Sequence, residues 1–239
     1  MYSQQIVAWG QPLEGRIIPT PLPQGTEVLV RVSACGICHS DLHIWEGGFN
    51  LGGGKMIRMA ERNVKLPLTL GHEIVGSVAA LGPDAKGVEI GAQRVVFPWI
   101  GCGTCEVCQR GEELLCNNPR TPGTRRDGGY SDHVIVPHPR YLIDYTGVPA
   151  ELACTYACSG ITAYSALKKA VAVVGVNDHL LIIGTGGVGL AGVHLASSMI
   201  KGKVIGGCRS CQTRLLRASP ARGRPSTMVR PTPCKRFAR

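Results

Sequence analysis

The sequence is short of acidic residues, and the shortage is concentrated at its C-terminal end. Between Gly206 and Arg239 there are eight arginines, one lysine and no acid, whereas residues 1–205 are close to neutral. Almost all of the net charge of +10 therefore lies in this last segment. A nucleic-acid surface combines basic groups with aromatic platforms, and Phe237 is the only aromatic residue there. The charge thus does not indicate a specific nucleic-acid partner.

Signals of export and membrane insertion are also missing. The first ten residues have neither the basic start nor the apolar stretch of a secretory signal. The one long uncharged run, Leu180 to Ile200, contains five glycines and a histidine, which favours a buried strand, a turn and a helix over a membrane span. We expect a cytoplasmic protein with no membrane partner. In a reducing compartment its eleven cysteines favour metal binding over disulfides.

The first two thirds of the chain carry short β-branched runs separated by Gly, Pro and Asp turns. These runs are Val28 to Val32, Ile74 to Ala80, Arg94 to Phe97 and His133 to Pro137. The pattern predicts an irregular, mostly β domain over residues 1–157.

The sequence pattern changes from residue 158 onward. An Ala-rich stretch, Ile161 to Ala170, predicts a helix, and the apolar run LLIIG predicts a buried strand. With a second strand at Lys203 to Ile205, residues 158–205 resemble the start of a parallel α/β domain. The expected fold class is mixed: a mostly β domain followed by an incomplete α/β domain of the Rossmann type.

A glycine-rich turn lies between that strand and the helix after it. Gly184, Gly186 and Gly189 have the G-x-G-x-x-G spacing, which permits a tight turn, close approach of a pyrophosphate and close packing of helix on strand. We therefore predict that a dinucleotide binds at Gly184, Gly186, Gly187, Val188 and Gly189.

The acid that usually binds the ribose 2′-hydroxyl about 20 residues later is missing from VIGGCRS, residues 204–210. Arg209 in this segment can be read as a sign of NADP binding, but it falls in the basic segment after residue 205, whose pattern no longer continues the α/β domain. We prefer NAD as the cofactor, and NADP stays open as the alternative.

The last segment does not complete the α/β domain. A doubly wound domain needs on the order of 100–150 residues, and 60 remain from Leu180 onward. Residues 206–239 lose acids, apolar periodicity and strand signals together, so we infer that the reading frame is lost near Gly206 and that a disordered, basic tail follows. On this view we expect metal loading without appreciable turnover.

Four cysteines share one short run, GCGTCEVCQRGEELLC. Cys102, Cys105, Cys108 and Cys116 have the spacing C-x2-C-x2-C-x7-C. A closed set of four thiolates suits a structural zinc ion, because it leaves no position for a substrate. We predict such an ion in a four-cysteine lobe over residues 98–118.

The chain resembles the zinc-containing medium-chain alcohol dehydrogenases, in family order over residues 1 to about 205. The motifs that carry the resemblance are CGICHSDLH (35–43), GHEIVG (71–76), the four-cysteine lobe, GGYSDHVIVP (128–137), CSGITAYSAL (158–167) and LIIGTGGVG (181–189). The resemblance implies that the first domain is a GroES-like catalytic domain.

The resemblance also implies a second zinc ion, held by Cys38, His72 and Cys158, with Glu73 beside it. Two thiolates and one imidazole leave a fourth position open for water or an alcohol, whose proton a zinc ion makes easier to lose. The implied reaction is oxidation of an alcohol to an aldehyde or ketone, with hydride transfer to the nicotinamide.

Four further roles follow from the resemblance, all within residues 39–43. Ser40 would accept the proton of the alcohol, and His43 would release it to water through a relay that includes the cofactor ribose. His39 would lie near the cofactor pyrophosphate, and Asp41 would support the ring of His72. The alternative for each of these four residues is an ordinary loop side chain with no catalytic or binding role.

Several alternatives stay open. Cys154 lies one helical turn before Cys158, but the CSGIT context favours Cys158 as the ligand, and Cys35 is expected to be a packed residue. A polyol or threonine dehydrogenase is the nearest enzymatic alternative, and a non-catalytic zinc-binding fragment with an electrostatically sticky tail is the other. The family suggests a homodimer or a homotetramer.

Overall fold

The computed structural model describes residues 1–62, 64–207 and 216–217 of the chain, which divides into two units. The first unit is Met1–Cys158, and the second begins at Ser159. Cys158 therefore belongs to the first unit, one residue past the boundary expected from sequence.

The first unit consists mainly of strands. Its elements are β1 (Tyr2–Ile6), β2 (Glu14–Ile17), β3 (Val28–Gly36), α1 (His39–Trp45), β4 (Gly48–Gly52), β5 (Lys55–Arg58), β6 (Leu68–Thr69), β7 (Glu73–Leu81), β8 (Gln93–Val96), α2 (Glu106–Gln109), β9 (His133–Val136), β10 (Leu142–Ile143) and α3 (Ala150–Thr155). A π-helical turn, Tyr156–Gly160, follows α3. The four runs predicted as strands correspond to β3, β7, β8 and β9, whereas α1 and α3 were not predicted.

Three antiparallel sheets organise these strands. The largest has the order β10-β8-β7-β3-β9, a smaller one has the order β2-β1-β6, and β4 pairs with β5 as a hairpin. In the large sheet Val30 faces Val78 on one side and Val134 on the other. Strand β3 is thus an inner strand, and so is β7, which lies between β3 and β8; this position explains the long apolar run of β7.

Both faces of β7 are covered near its start. Successive strand residues face opposite sides of a sheet. Ile74 accordingly packs in the core that includes Val30 and Val96, while Val75 packs against Ala153 of α3. The start of β7, which follows His72, is therefore held from both sides.

A second core supports α1. Ile44 of α1 packs with Ile6 of β1 and with Met59, Val64 and Leu68, and all five side chains are buried. Because one face of α1 is fixed in this way, the residues in its first turn have a defined position.

The second unit contains a β-α-β arrangement. Its elements are α4 (Ile161–Val171), β11 (His179–Ile183), α5 (Gly187–Met199), β12 (Lys203–Gly207) and β13 (Leu216–Arg217). Strands β11 and β12 are parallel, with Leu181 opposite Ile205, and β13 pairs antiparallel with β12. Parallel neighbours joined by a helix are typical of α/β domains.

Apolar side chains of α4, α5 and β12 form the core of this unit, with Leu167, Ala196 and Val204 among its buried members. The predicted tail overlaps the described residues at Gly206 and Gly207, which belong to β12, and at β13. The rest of it, residues 208–215 and 218–239, lies outside the described residues, as does the NADP sign at Arg209. Within the described ranges, no helix has both the length and the apolar character needed to cross a bilayer.

We expect truncation of Ile6 to destabilise the first unit. Ile6→Ala removes a fully buried side chain from the core that holds α1, so that the free energy of unfolding should fall by about 2–5 kcal/mol. Chemical denaturation of the metal-loaded chain measures this. Ile17→Ala on the neighbouring strand β2 is the control, because Ile17 is 89% exposed. Equal losses in the two variants would contradict this description of the core.

Candidate metal centres and cofactor-binding turn

Three side chains from distant parts of the first unit converge at one point. Cys38 directly precedes α1, His72 directly precedes β7, and Cys158 lies in the π-helical turn after α3. Their donor atoms all lie within 4.8 Å of one another, and the sulfur atoms of Cys38 and Cys158 are 3.8 Å apart. Ligands about 2.3 Å from a tetrahedral zinc ion are separated by roughly 3.8 Å, so this donor set fits the ion.

The buried carboxylate of Asp41 joins the segments that carry Cys38 and His72. One oxygen accepts hydrogen bonds from the backbone N–H of Cys38 at 2.9 Å and from the hydroxyl of Tyr130 at 3.1 Å. The other lies 3.1 Å from Nδ1 of His72 and 3.3 Å from the backbone N–H of Gly71. A carboxylate at Nδ1 directs the Nε2 lone pair of a histidine toward a metal.

Gly71 determines the turn on which His72 is presented. Its φ of +92° lies in the region that favours glycine. A β-carbon there would also overlap the sulfur of Cys35 and the ring of Tyr130. The G-H-E order in the sequence thus has a steric cause, because a larger residue before His72 would displace it.

The pKa values of the three converging donors are shifted in different directions. Hydrogen bonds from Cys158 and His72 lower the pKa of the Cys38 thiol to about 3. The same contact with Cys38, and then burial, raises the pKa of Cys158. Burial opposes a charge on His72, but hydrogen bonds to Asp41 and Cys38 outweigh it and raise the pKa of His72 to about 10. A metal ion that binds all three donors therefore displaces protons from Cys158 and His72.

Glu73 is buried next to this cluster. Its charge contributes to the raised pKa values of Cys154 and Cys158, and a side chain at position 36 in place of Gly36 would overlap its carboxylate.

Cys35 and Cys154 do not belong to either donor set. Burial is the main cause that raises the pKa of both thiols, as expected for packed cysteines.

The four cysteines of the lobe form a second donor set. All four sulfur atoms lie within 4.8 Å of one another, and three of the distances are 3.5, 3.9 and 3.9 Å. These values are again close to the edge of a zinc–sulfur tetrahedron. Helix α2 presents two of the sulfurs, since Cys105 precedes its first residue and Cys108 lies within it.

Backbone amides of the lobe donate to its sulfurs. The N–H of Cys105 donates to Cys102 at 3.4 Å, and the N–H groups of Cys102 and Asn118 each donate to Cys116 at 3.3 Å. Hydrogen bonds from Thr104 and Cys105 lower the pKa of Cys102 to about 5, whereas burial raises that of Cys108 to about 12. Amides directed at sulfur stabilise thiolates.

Glu113 attaches the four-cysteine lobe to the large sheet. Its carboxylate accepts hydrogen bonds from the N–H of Gly101 at 2.8 Å and the hydroxyl of Tyr141 at 2.7 Å, and Arg140 donates to its other oxygen at 2.8 Å. Burial alone would raise the pKa of Glu113, but the bonds from Tyr141 and Gly101, together with Arg140, hold it below its usual value.

A mostly apolar cleft of about 470 Å³ adjoins the first centre. Ser40 and His72 both line it, so the predicted proton acceptor and a predicted metal ligand face the same space. The other lining residues are Ile44, Phe49, Leu51, Ile57, Met59, Arg62, Val64, Trp99, Leu114, Pro119, Thr121, Thr124 and Arg125. Apart from Ser40 and His72, the sequence predicted none of them.

The two predicted histidines of α1 lie next to each other on the helix. The rings of His39 and His43 are 4.8 Å apart, and His43 also contacts the ring of Phe49 at 5.0 Å. Nδ1 of His43 is 3.6 Å from the carboxylate of Glu46. His39 is exposed and His43 is half-buried.

In the second unit the glycine-rich turn connects β11 to α5. Gly184 has a φ of +99°, and α5 begins at Gly187. A β-carbon on Gly189 would overlap the carbonyl of Gly184, which explains the third glycine of the motif. The five cofactor-binding residues predicted in this turn, 184 and 186–189, all line a second cleft of about 470 Å³.

Comparison with known proteins gives consistent results. Residues 24–146 match the alcohol dehydrogenase GroES-like domain family. An NAD-dependent alcohol dehydrogenase of Sulfurisphaera tokodaii is 38% identical over 86% of this chain and 58% of its own length. The chain thus spans somewhat more than half the length of such curated relatives.

Solved structures of alcohol dehydrogenases are also similar. That of Aeropyrum pernix has a TM-score of 0.74 and 30% identity, and covers 86% of this chain and 58% of its own. A cobalt- and zinc-bound thermostable alcohol dehydrogenase of Pyrobaculum aerophilum has a TM-score of 0.72 and 26% identity, with coverage of 86% and 59%.

The fold of the first unit defines a GroES-like domain, as the sequence predicted. With the family match over more than half of the chain, this protein belongs to the zinc-type medium-chain alcohol dehydrogenase family.

We expect Glu113→Gln to weaken the attachment of the lobe. An amide cannot replace all three hydrogen bonds of the carboxylate, so the free energy of unfolding should fall by about 1–3 kcal/mol at neutral pH. Since the pKa of Glu113 is lower in the folded state, its contribution is present at neutral pH and is lost as the pH falls below the usual 4.5. Denaturation of both proteins across this range should show their difference shrinking.

Glu112→Gln is the matched control for this prediction. Glu112 is exposed, and its carboxylate pairs with Arg110 at the surface, so we expect a change below about 0.5 kcal/mol. A difference between Glu113→Gln and the parent that stays constant from neutral pH to pH 3 would contradict the assigned role.

Proposed function

We propose that this chain carries the catalytic centre of a zinc-dependent alcohol dehydrogenase. The reaction is oxidation of a primary or secondary alcohol to an aldehyde or ketone, with hydride transfer to NAD(P). The observation that carries the proposal is the convergence of Cys38, His72 and Cys158 beside an apolar cleft. Three protein donors leave one tetrahedral position for an exchangeable ligand, which is the arrangement of catalytic zinc sites.

Zinc at this position would supply Lewis-acid chemistry, which lowers the pKa of an alcohol. The residues of the chain hold and orient the site. Asp41 fixes the ring of His72 through Nδ1, and the apolar walls of the cleft exclude water from the hydrocarbon part of a substrate. Glu73 supplies a further negative charge beside the ligands.

Proton transfer is assigned to α1. Ser40 lines the cleft next to His72, where its hydroxyl can accept a proton from a bound alcohol. His43 lies three residues further along the same helix face and is half-buried, so it can transfer that proton to solvent. The exposed His39, adjacent to His43, is proposed to lie near the cofactor pyrophosphate.

The second unit is proposed to be the opening of a Rossmann-type dinucleotide-binding domain. The support is the parallel pair β11–β12, the helix α5 between them and the glycine turn that α5 follows. The N–H groups at the start of a helix favour a pyrophosphate. Relatives described as NAD-dependent favour NAD as the cofactor.

The four-cysteine lobe is proposed to hold a second, structural zinc ion. Its sulfurs come from one loop, and their separations fit a closed tetrahedron. One of the similar solved structures is a zinc-bound alcohol dehydrogenase, which supports zinc as the metal.

A polyol or threonine dehydrogenase remains the second candidate, because an L-threonine 3-dehydrogenase of Pyrococcus horikoshii is 31% identical over 76% of this chain. Cys158 as the third donor favours a simple alcohol dehydrogenase. In polyol and threonine dehydrogenases the third metal ligand is more often expected to be a carboxylate. A homodimer or homotetramer in the cytoplasm remains the expected state of assembly.

We expect Cys38→Ser to remove one zinc ion and leave the lobe loaded. A serine hydroxyl is a much poorer zinc ligand than a thiolate, so metal analysis should show a fall from two ions per chain to one. Cys116→Ser should also lower the content by one, and the two changes should be additive because the centres share no donor.

Cys154→Ser is the matched control, since Cys154 is buried close to Cys158 but belongs to neither donor set. Its metal content should equal that of the parent. A Cys38→Ser protein that retained both ions would refute the first centre, and loss of zinc in Cys154→Ser would mean that the ligand was assigned to the wrong cysteine.

We expect Asp41→Asn to weaken metal binding at the first centre by about 10–100-fold. The substitution removes the charge that orients His72 and leaves at least one of the four donors to Asp41 unpaired. Competition with a chelator measures the affinity, and the lobe zinc is the internal reference. Asp132→Asn, an exposed acid in the same unit, should leave both affinities unchanged. Equal weakening of both zinc ions would indicate general unfolding instead.

A further inference from the structure

The cleft beside His72 is unusual in its charge. Its walls are mainly aliphatic and aromatic, yet two arginines, Arg62 and Arg125, line it as well. No carboxylate is present among the described residues of the lining. A neutral, purely hydrocarbon substrate needs neither cation.

The backbone of Arg125 is held in place by a tight turn. Its N–H donates to the carbonyl of Thr121 at 2.9 Å, and Thr124 donates to the same carbonyl through its hydroxyl at 3.3 Å. Thr121 itself is buried. The guanidinium is tethered as well, because one of its N–H groups donates to the carbonyl of Arg62. Arg125 is therefore positioned before any ligand arrives.

Among the described residues, this guanidinium has no acidic partner. No carboxylate in the part of the chain that the structure describes lies within 4.0 Å of it. Asp127, two residues away, accepts a hydrogen bond from the N–H of Thr69 instead. Arg125 is half-buried, and a positive charge that is partly removed from water attracts an anion strongly. A planar guanidinium matches a carboxylate through two parallel hydrogen bonds.

We propose that the cleft selects alcohols that carry a carboxylate, and that Arg125 is the residue that recognises this group. The hydroxyl of the substrate is directed to the His72 and Ser40 end, its hydrocarbon body lies against apolar walls such as Phe49 and Met59, and its carboxylate pairs with Arg125. The substrate class is thus a hydroxy acid with an apolar spacer. The hydroxyl end of this assignment rests on the proposed function, whereas the carboxylate end does not.

Arg62 is the weaker candidate for this role. Its side chain is exposed. Its backbone carbonyl, and not its guanidinium, takes part in the arrangement, because it accepts the hydrogen bond from Arg125. Exposed cations are solvated and screened, so they discriminate less between ligands.

Binding of three matched ligands to the zinc-loaded full chain tests the proposal. The ligands are 6-hydroxyhexanoate, 1-hexanol and hexanoate, measured by isothermal titration calorimetry. We expect 6-hydroxyhexanoate to bind at least about tenfold more tightly than 1-hexanol. Arg125→Gln should abolish this preference, and Arg125→Lys should retain part of it, because a point charge replaces the planar fork.

Two further variants separate this proposal from the proposed function. Arg126→Gln is the matched control, since Arg126 is exposed and does not line this cleft, and it should keep the full preference. Cys38→Ser, which lacks the first metal, should weaken 1-hexanol binding but leave hexanoate binding dependent on Arg125. If 1-hexanol binding were unaffected by Cys38→Ser, the proposed function would fail while the carboxylate site stood.

The proposal is overturned if the parent protein shows no preference for 6-hydroxyhexanoate over 1-hexanol, or if Arg125→Gln keeps the preference with unchanged zinc content. It is also overturned if adenosine diphosphate, rather than the hydroxy acid, is the ligand whose binding depends on Arg125. That result would assign the arginine to the cofactor.

Discussion

The first metal centre depends on one buried carboxylate. Asp41 accepts hydrogen bonds from the start of α1, from the turn before β7 and from the hydroxyl of Tyr130. Cys38 and His72 are 34 residues apart in sequence, and this side chain fixes the distance between them. Because several donors bind this buried carboxylate, its orientation is fixed, and so are the positions of the groups that donate to it. Its fourth contact, with His72, sets which ring nitrogen is available to a metal.

Convergence of donors has an electrostatic consequence. Without a cation, the thiols of Cys38 and Cys158 cannot both ionise at 3.8 Å, because two negative charges this close repel each other. The pKa of Cys38 is accordingly lowered and that of Cys158 raised. Asp41 and Glu73 add negative charge around them, and both are buried. A divalent cation relieves this repulsion and satisfies all donors at once. The geometry of the centre is therefore set by the protein, and a bound divalent cation would balance its negative charge.

A short-range pattern identified four of the candidate metal ligands, whereas long-range packing brings the other three together. The spacing of Cys102, Cys105, Cys108 and Cys116 is a local property, so the sequence alone brings these four together. The motifs around Cys38, His72 and Cys158 identified the other donors only through family resemblance.

No pattern indicated that Tyr130 contacts Asp41 or that Arg125 lines the cleft, because these contacts depend on how loops return to the sheet. The helix α1 was missed for a similar reason: it is short, and tertiary packing of Ile44 supports it more than intrinsic propensity does.

The two donor sets differ in how much of the fold each one requires. In the four-cysteine lobe the donors and several of the amides that support them lie within residues 102–118, so metal binding there requires only local order. The first centre requires β3 and β7 to be paired, α1 to be seated on its core and α3 to be packed on the sheet. The first centre therefore depends on contacts between residues that are far apart in sequence, whereas the lobe depends mainly on residues near one another. Damage to the large sheet should consequently disturb the donor geometry of the first centre before that of the four-cysteine lobe, although both donor sets contain cysteine sulfurs.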